Sequence, residues 1–163
     1  MKLIVAVDRN WGIGYGDQLL VSIPNDHKNF RELTTGKVVV LGRKTLATFP
    51  QGKPLKYRTN VIFSTDPKYE VDEETIVVHS LEEFLEKAKK FDDNDIYVIG
   101  GGSIYKLLLP YCNEAVVTKL DHAYRADTYF PNLDEDPAWQ VVSESEEMTY
   151  FDIPYRFVTY KRA

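Results

Sequence analysis

The 163-residue sequence is poor in the residues that mark secreted, metal-binding and membrane-spanning proteins. Its single cysteine, Cys112, cannot form an internal disulfide, so we expect a buried, unreactive thiol in a reducing compartment. The three histidines, His27, His79 and His122, lack the spacing of metal ligands, and we expect no metal. The apolar run at the N-terminus is too short for a signal peptide, and no segment approaches the roughly 20 apolar residues that span a membrane. We therefore expect a cytoplasmic protein.

Charge and length narrow the class of protein further. A net charge of −5 argues against nucleic acids and anionic membranes as partners, because both are polyanions that attract basic surfaces. It leaves open a small anionic ligand held in a local basic pocket. The length fits one domain, and the sequence shows no internal repeat or linker. We expect a single domain over residues 1–163 and a monomer.

Strand and helix patterns alternate along the chain. Apolar, β-branched runs predict strands, and apolar residues at helical spacing predict helices between them. The alternation predicts an α/β fold, in which a mostly parallel central sheet has an antiparallel C-terminal edge and helices on both faces. Ligands bind such a sheet at the carboxyl ends of its strands. The predicted strands cover residues 2–7, 38–41, 60–64, 75–79, 96–99, 114–120, 139–148 and 155–162, and the predicted helices cover 25–35, 43–47, 81–90 and the segment from the glycines at 100–102 to Pro110.

Local signals refine this outline. Residues 8–24 contain several glycines and no sustained period, so we expect a long loop without regular structure, a kind of loop that is usually functional. Asn25 is expected to cap the first helix. Ser80 and Glu83 match a capping box at the start of the third.

The glycine run at 100–102 is the strongest functional signal. A β-branched strand stops there, and a helical pattern follows with Ile104, Leu107 and Leu108 on one face. A strand, a glycine turn and a helix start together present bare backbone N–H groups to a phosphate, and glycine allows the backbone to approach a ligand closely. The alternative is a tight turn with nothing bound. Because a simple turn rarely needs more than one glycine, the run favours ligand contact.

Two familiar nucleotide-binding motifs are excluded by their spacing. Residues 12–16 resemble a dinucleotide fingerprint, but Asp17 stands where the third glycine is needed. Residues 42–45 resemble the end of a Walker A motif, but an arginine separates the glycine from the lysine. What the strand ends do offer is positive charge and hydroxyl groups for at least two phosphates, although a solvated basic turn is the alternative. The residues concerned are Arg43, Lys44, Thr45, Ser64 and Thr65.

Asp26 is the most informative acid, and Arg58 the most informative base. Asp26 lies in the first turn of a helix, on the same face as Phe30 and Leu33. It is either an exposed acid that complements the helix dipole or a carboxylate facing an apolar cleft, where desolvation would raise its pKa and suit it to hold a proton. Arg58 belongs to a basic cluster, which is usually a solvated loop, although arginine can also bind a carboxylate with its fork of donors.

Taken in order along the chain, these residues and their neighbours resemble dihydrofolate reductase, and the similarity runs from Lys2 to Arg162. Ordered matches over a whole chain are far more specific than any one of them. The matching segments are Ile-Val-Ala-Val at 4–7, Trp-Gly-Ile-Gly at 11–14, Ile-Pro-Asn-Asp at 23–26 with Phe30, Val-Val-Leu-Gly-Arg-Lys-Thr at 39–45, Pro-Leu at 54–55 with Arg58 and Asn60, Ile-Gly-Gly-Gly at 99–102 with Tyr105, Thr118, and Ala-Asp-Thr-Tyr-Phe-Pro at 126–131.

The resemblance implies the NADPH-dependent reduction of 7,8-dihydrofolate to tetrahydrofolate for one-carbon metabolism, in which a hydride reaches C6 and a proton reaches N5. It implies that Asp26 is the catalytic acid, holding the pterin by two hydrogen bonds with support from Thr118, and that Arg58 clamps the glutamate α-carboxylate. It implies dihydrofolate and NADPH as partners, diaminopyrimidine or pteridine antifolates as inhibitors, a lid formed by residues 8–24 and a cis peptide bond between Gly100 and Gly101. The implied substrate-binding residues are Val5, Ala6, Asp26, Phe30, Phe49, Leu55, Arg58, Ile99 and Thr118; the implied cofactor-binding residues are Ala6, Ile13, Gly14, Leu19, Gly42, Arg43, Lys44, Thr45, Ser64, Thr65, Ile99, Gly101, Gly102, Ser103, Ile104 and Tyr105.

The sequence departs from the family pattern near the expected substrate. Bacterial members commonly carry tryptophan where Val21 stands, and its indole N–H fixes a water that also bonds the catalytic carboxylate. His27 replaces a usually apolar residue, and residues 54–58 read Pro-Leu-Lys-Tyr-Arg in place of the more frequent Pro-Leu-Pro-Gly-Arg.

Two other functions stay open: a reductase of the same fold that acts on a ribosylated pyrimidine of riboflavin synthesis, and a non-catalytic nucleotide-binding module. Asp26 and Arg58 argue against the first, because a sugar-phosphate substrate needs neither an amidine partner nor a carboxylate clamp.

Overall fold

A computed structural model describes residues 1–16 and 18–163. The helices are α1 (Pro24–Thr34), α2 (Arg43–Leu46), α3 (Leu81–Ala88) and α4 (Gly102–Leu108), with short 3-10 turns at Pro50–Gly52, Asp93–Asp95 and Leu109–Tyr111. The strands are β1 (Lys2–Val7), β2 (Gly12–Tyr15), β3 (Gln18–Leu19), β4 (Val38–Gly42), β5 (Thr59–Phe63), β6 (Ile76–Val78), β7 (Ile96–Gly100), β8 (Glu114–Leu120), β9 (Thr128–Tyr129), β10 (Trp139–Glu144), β11 (Met148–Tyr150) and β12 (Ile153–Arg162).

One large sheet organises the molecule. Its strands follow the order β10-β12-β8-β1-β7-β4-β5-β6, and β11 pairs with β12. The strands from β8 to β6 run parallel to their neighbours, whereas β10, β11 and β12 pair antiparallel at the other edge. The predicted fold class, a mostly parallel sheet with an antiparallel C-terminal edge, is confirmed. No helix within residues 1–16 and 18–163 has the length and apolar character needed to cross a membrane.

The central strand β4 shows why the sheet is covered on both faces. Val38 and Val40 point into one apolar cluster, which also contains Phe84 of α3 and Leu108 of α4. The alternate residues, including Leu41, pack into a second cluster on the opposite face. A strand buried on both faces must be apolar at every position, which explains the unbroken run of valines and leucine.

The expectation that residues 8–24 lack regular structure is wrong. This segment contains β2 and β3, which pair antiparallel with each other, and β2 also pairs with β9. Strand β9 lies more than a hundred residues from β2 in the sequence, so no local hydrophobic period indicates that the two strands pair. Residue 17 of the proposed lid lies outside the described residues.

Three smaller expectations are also wrong. Asn25 does not cap α1: Ile23 takes the cap position with Pro24 after it, and the amide of Asn25 donates to the Tyr155 hydroxyl at 3.1 Å. Leu107 is 37% exposed and does not lie on the buried face of α4. The segment 139–148 is not one strand, because β10 ends at residue 144 and β11 then forms a separate hairpin with β12. At Asn25 the preceding proline and a partner 130 residues away in sequence override the local pattern.

Candidate active site

A cleft of about 860 Å³ opens where the parallel strands end. Gly42 at the end of β4, Ser64 after β5 and Gly100 at the end of β7 lie on its wall. This is the position expected for a ligand site on a parallel sheet. Every residue that the sequence suggested for the cofactor lines it: Ala6, Ile13, Gly14, Leu19, Gly42, Arg43, Lys44, Thr45, Ser64, Thr65, Ile99, Gly101, Gly102, Ser103, Ile104 and Tyr105. Val5 of the substrate set lines it as well.

The glycine run forms one wall of the cleft at very close range. The peptide bond between Gly100 and Gly101 is cis, as expected, and Gly100 has a φ of +136°, which L side chains rarely adopt. A Cβ on Gly102 would lie 2.7 Å from Cγ2 of Thr128, and one on Gly101 would lie 3.0 Å from Oγ1 of Thr45. Glycine is therefore required here by backbone conformation and by packing, and the turn leaves backbone N–H groups of the first helical residues without intrahelical partners.

One end of the cleft carries unneutralised positive charge. Arg43 and Lys44 are exposed, and neither takes part in an ion pair with any of the described residues. Ser64 is buried and its Oγ accepts the backbone N–H of Asp66 at 3.2 Å, which leaves the hydroxyl proton free to donate, whereas Thr65 is exposed. The two cations and two hydroxyls can together bind a phosphate.

Several lining residues were not found by sequence reasoning. His79 follows the three-residue strand β6, and its ring Nδ1 donates to the carbonyl oxygen of Ser64 at 2.8 Å. A lone histidine after so short a strand gives no motif that could place it at a site. The other unassigned lining residues are Gln18, Thr48, Phe63, Ser80, Leu81, Lys106, Leu107, Asp127, Thr128 and Tyr129. Thr128 and Tyr129 of β9 belong to the segment 126–131, which matches the family pattern but was given no role in the sequence analysis.

Asp26 is joined to the cleft through Thr118. Oγ1 of Thr118 donates to Oδ1 of Asp26 at 2.5 Å. Thr118 on β8 pairs in register with Ala6 on β1, and Ala6 lines the cleft. Burial raises the pKa of Asp26, while the Thr118 hydroxyl and the nearby His27 partly offset that rise. The carboxylate is therefore half-buried and hydrogen-bonded, with an increased affinity for a proton.

Tyr105 lies close to this carboxylate. Its hydroxyl donates to the carbonyl oxygen of Ile4 at 2.7 Å, which ties α4 to β1 beneath the cleft. Burial, followed by the charge of Asp26, raises the pKa of Tyr105, so the hydroxyl stays protonated. Tyr105 thus acts as a fixed donor between the glycine wall and the strand that carries Ala6.

Six of the suggested substrate residues do not line the main volume of the cleft. Phe49, Leu55 and Ile99 pack half-buried against the second apolar cluster, which contains Val39, Leu41, Leu46 and Ile62. Ile99 also lines the cleft, so it connects the two regions. Among the described residues, Phe30, Phe49, Leu55, Arg58, Asp26 and Thr118 do not line the 860 Å³ volume itself.

Arg58 is held in one orientation beside Phe30. Its guanidinium carbon lies 6.0 Å from the centroid of the Phe30 ring, Nε donates to Oγ1 of Thr34 at 3.2 Å, and Nη1 donates to the Lys56 carbonyl at 3.0 Å. Burial, followed by the positive charge of Arg31, lowers the pKa of Arg58. A half-buried guanidinium next to a second cation is a favourable place for a carboxylate.

Two residues of the proposed lid are hydrogen-bonded to Asp127, which lines the cleft. The backbone N–H of Gly16 donates to Oδ2 of Asp127 at 3.0 Å, and the N–H of Asp127 donates to the Gly14 carbonyl at the same distance. Val21 packs half-buried against the cluster of Ile23, Leu120 and Tyr155. Nε2 of His27 lies 2.7 Å from Oγ of Ser22.

Comparison with known proteins identifies the family. The family model for dihydrofolate reductase matches residues 1–162. The chain is 32% identical to the dihydrofolate reductase of Bacillus subtilis, over 99% of this chain and 94% of that protein. It is 31% identical to that of Staphylococcus aureus, over 90% of this chain and 86% of that one. Its fold matches the dihydrofolate reductase of Enterococcus faecalis, solved in complex with NADP(H) and RAB-propyl, with a TM-score of 0.84, 32% identity and coverage of 99% and 95%. The chain belongs to the dihydrofolate reductase family.

Proposed function

We propose that this chain performs the reaction of its family through the cleft and Asp26: 7,8-dihydrofolate is reduced to tetrahydrofolate with NADPH as the cofactor. The observation that supports this most strongly is the hydrogen bond from Thr118 to Asp26, because it joins a proton-holding carboxylate to a ligand-sized cleft. Neither feature alone would specify a reductase. Together they provide a hydride-donor site next to an acid.

The cleft residues fit NADPH. Arg43 and Lys44, which have no ion-pair partner in the described part of the chain, would hold the phosphate on the adenosine ribose, with Ser64 and Thr65 donating hydroxyl hydrogen bonds. The turn at Gly101 and Gly102 would receive the pyrophosphate, because it lines the cleft and the first backbone N–H groups of α4 have no partner within the helix. Ala6, Ile13 and Gly14 would contact the nicotinamide. When bound, NADPH supplies the hydride for C6 of the substrate.

Asp26 would bind the pterin and assist the protonation of N5. Thr118 already donates to Oδ1, so the free lone pairs of the carboxylate can accept the pterin N3–H and 2-amino hydrogens. Because burial raises its pKa, the carboxyl group can hold a proton closer to neutral pH than an exposed aspartate could. Asp26 therefore orients the ring and increases the availability of a proton, while the apolar surroundings keep bulk water away.

Arg58 and the apolar residues would bind the rest of the substrate. Within the described chain, Nε and Nη1 of Arg58 donate hydrogen bonds to Thr34 and Lys56. Nη2 is therefore oriented and available for the glutamate α-carboxylate. The apolar walls for the pterin and aminobenzoyl groups would come from Val5, Phe30, Phe49, Leu55 and Ile99.

A coupled assay separates this function from its alternatives. We expect the purified chain to oxidise NADPH only when dihydrofolate is added, with tetrahydrofolate as the product. Turnover with a ribosylated pyrimidine in place of dihydrofolate would favour the riboflavin-type reductase. Tight NADPH binding without turnover of either substrate would favour a nucleotide-binding module.

The finer assignments are proposals of the same kind. We propose that residues 1–163 act as a single domain, because one large sheet joins strands from Lys2 to Arg162, and as a monomer, because the proposed reaction needs no residue from a second copy. We propose diaminopyrimidine and pteridine antifolates as inhibitors, since both would offer Asp26 an amidine-like pair of donors. The buried, unpaired Cys112, whose pKa burial raises to about 12, is consistent with work in a reducing cytoplasm.

Arg43→Ala is expected to reduce the preference for NADPH over NADH by roughly tenfold. The arginine would bind a phosphate that NADH lacks, and because Arg43 is exposed to solvent we expect the low end of the range for a hydrogen bond to a charged group, on the order of 1.5 kcal/mol. The measurement is kcat/KM for both cofactors at fixed dihydrofolate. Arg156→Ala, which removes an exposed arginine paired with Glu147, serves as the control and is expected to leave the ratio unchanged. Equal losses with both cofactors in Arg43→Ala would contradict the assignment.

Val21→Trp is expected to lower the pKa of Asp26 and to move the pH profile of hydride transfer to lower pH. An indole N–H can fix a water that hydrogen-bonds to the ionised carboxylate, and valine has no donor. The same change should tighten binding of diaminopyrimidine inhibitors. The pH dependence of single-turnover hydride transfer and inhibitor dissociation constants provide the test, with Val142→Trp on exposed β10 as the matched control. If neither quantity moves, the missing indole does not determine the chemistry of Asp26.

A further inference from the structure

The first turn of α1, which carries Asp26, is held by contacts with other elements and not by a cap of its own. Ile23 stands at the cap position and makes no side-chain hydrogen bond to the helix. The next polar residues each contact a different element: Asn25 contacts β12, Asp26 contacts β8 and His27 contacts Ser22 in the lid segment. The orientation of this turn therefore depends on these side-chain contacts.

The contact made by Asn25 uses both hydrogens of its amide group. Nδ2 of Asn25 donates to the hydroxyl oxygen of Tyr155 at 3.1 Å and lies 3.4 Å from Sδ of Met148. A thioether sulfur has no proton to donate, so the amide nitrogen, and not the amide oxygen, faces both partners. Tyr155 is buried and packs with Ile23 and Leu120 in one apolar cluster. Its hydroxyl group is therefore a fixed acceptor at the surface of the sheet.

The register of the sheet places the partners of Asn25 and Asp26 on one face of two neighbouring strands. Tyr155 on β12 stands opposite Leu120 on β8, and Thr118 precedes Leu120 by two residues. Opposite residues of an antiparallel pair, and residues two apart on one strand, face the same side. Two consecutive residues of α1 thus bond to two adjacent strands. Such a two-point attachment fixes the rotation of the helical turn as well as its distance from the sheet.

We propose that Asn25 is a positioning residue for Asp26: its hydrogen bond to Tyr155 sets the rotation of the first turn of α1, and with it the direction of the Asp26 carboxylate. Thr118 alone holds one carboxylate oxygen, which leaves the turn free to rotate about that bond. Hydrogen bonds to the pterin are directional, so a rotated carboxylate would bind the ring away from its reactive position. This inference rests on the proposed function, because it assumes that the pterin binds to Asp26.

The test removes each partner of the Asn25–Tyr155 hydrogen bond separately and together. Asn25→Ala removes the donor, and Tyr155→Phe removes the acceptor oxygen while keeping the buried ring. Asn29→Ala makes the same exchange one turn further along α1 and is the matched control. Single-turnover rates of hydride transfer and the dissociation constant of NADPH are measured at one neutral pH. Asn25→Ala is also made in the Asp26→Asn background.

We expect Asn25→Ala and Tyr155→Phe each to slow hydride transfer by roughly threefold to tenfold, the range of one ordinary hydrogen bond. The double variant should be no slower than the slower single variant, because both changes remove the same bond. NADPH binding should be unchanged, and Asn29→Ala should behave as wild type. In the Asp26→Asn background, Asn25→Ala should cause no further loss, since no carboxylate remains to be positioned.

A wild-type rate of hydride transfer in Asn25→Ala would overturn the inference. Equal fractional losses in the wild-type and Asp26→Asn backgrounds would also overturn it, because they would show a general loosening of the helix. If Asn25→Ala does not fold, Tyr155→Phe in the two backgrounds provides the same comparison. Absence of dihydrofolate-dependent turnover in the wild-type chain would remove the proposed function, whereas normal turnover in wild type and in both single variants would remove only the role of Asn25.

Discussion

Asp26→Asn is expected to lower turnover by about 10²–10⁴ while leaving the fold intact. Asparagine has the shape of aspartate and can still accept the Thr118 hydroxyl hydrogen bond, so the local packing should survive. It cannot carry the negative charge that pairs with the pterin, and it cannot hold a proton for N5. The loss should appear in the hydride step measured by single turnover, and the fold should be checked by circular dichroism.

A pH profile distinguishes a chemical role from a structural one. Burial raises the pKa of Asp26, so the fraction that is protonated, and with it the rate of the hydride step, falls as the pH rises through that pKa. In Asp26→Asn this dependence should disappear. Glu32→Gln, which removes an exposed acid on the same helix, is the control and should keep both the rate and the profile. Turnover close to wild type at neutral pH in Asp26→Asn would return the acid to a role in complementing the helix dipole.

Although Asp26→Asn should lower turnover, it should not lower the stability of the fold at neutral pH and can raise it. An acid whose pKa is raised on folding binds more protons in the folded than in the unfolded state, so it destabilises the fold as the pH rises above the unfolded value of 3.8. Asp26→Asn removes that penalty. We expect its melting temperature at neutral pH to equal or exceed that of wild type, with the advantage lost below about pH 4. The protein therefore retains a destabilising carboxyl group at the place where the reaction needs one.

The elements of the fold that were predicted correctly are those whose formation depends mainly on residues close together in the sequence. The apolar run of β4 needs only its own residues and two covered faces, and the prediction is confirmed. The hairpin of β2 and β3 was not predicted. Strand β2 also pairs with β9, which lies more than a hundred residues further along the chain, so no local sequence pattern indicates this pairing. Asn25 failed as a cap because Pro24 is well suited to the first helical position, so α1 begins at Pro24 and Ile23 takes the cap position.

The site divides in the same way. Gly42, Arg43 and Gly101 were identified from strand ends and glycines, which are features of short segments. His79 was missed because its position depends on a hydrogen bond to Ser64, fifteen residues away in sequence. The roles of Asp26 and Arg58 came from the family resemblance. The structure shows the hydroxyl partner that orients each group: Thr118 for Asp26, which the resemblance already implied, and Thr34 for Arg58, which it did not.

Arg58→Gln is expected to raise the dissociation constant for dihydrofolate by about 10- to 100-fold, with a much smaller effect on the rate of the chemical step. A hydrogen bond between charged groups contributes on the order of 1.5–3 kcal/mol, and glutamine keeps a donor but no charge. Because the guanidinium would bind the glutamate tail and not the reacting ring, the lost binding is uniform and appears in the substrate constant. Equilibrium binding and single-turnover rates separate the two.

A substrate without the tail tests the assignment of Arg58 directly. A dihydropterin that lacks the benzoylglutamate group offers no carboxylate, so Arg58→Gln should reduce it with the same efficiency as wild type. Lys56→Gln removes an exposed lysine from the same loop and should leave both substrates unaffected. Arg58→Lys should recover only part of the affinity, because an ammonium keeps the charge but not the fork of donors. If Arg58→Gln weakens the tailless substrate as much as dihydrofolate, then the main contribution of Arg58 is its hydrogen bond to Thr34, which holds the loop against α1.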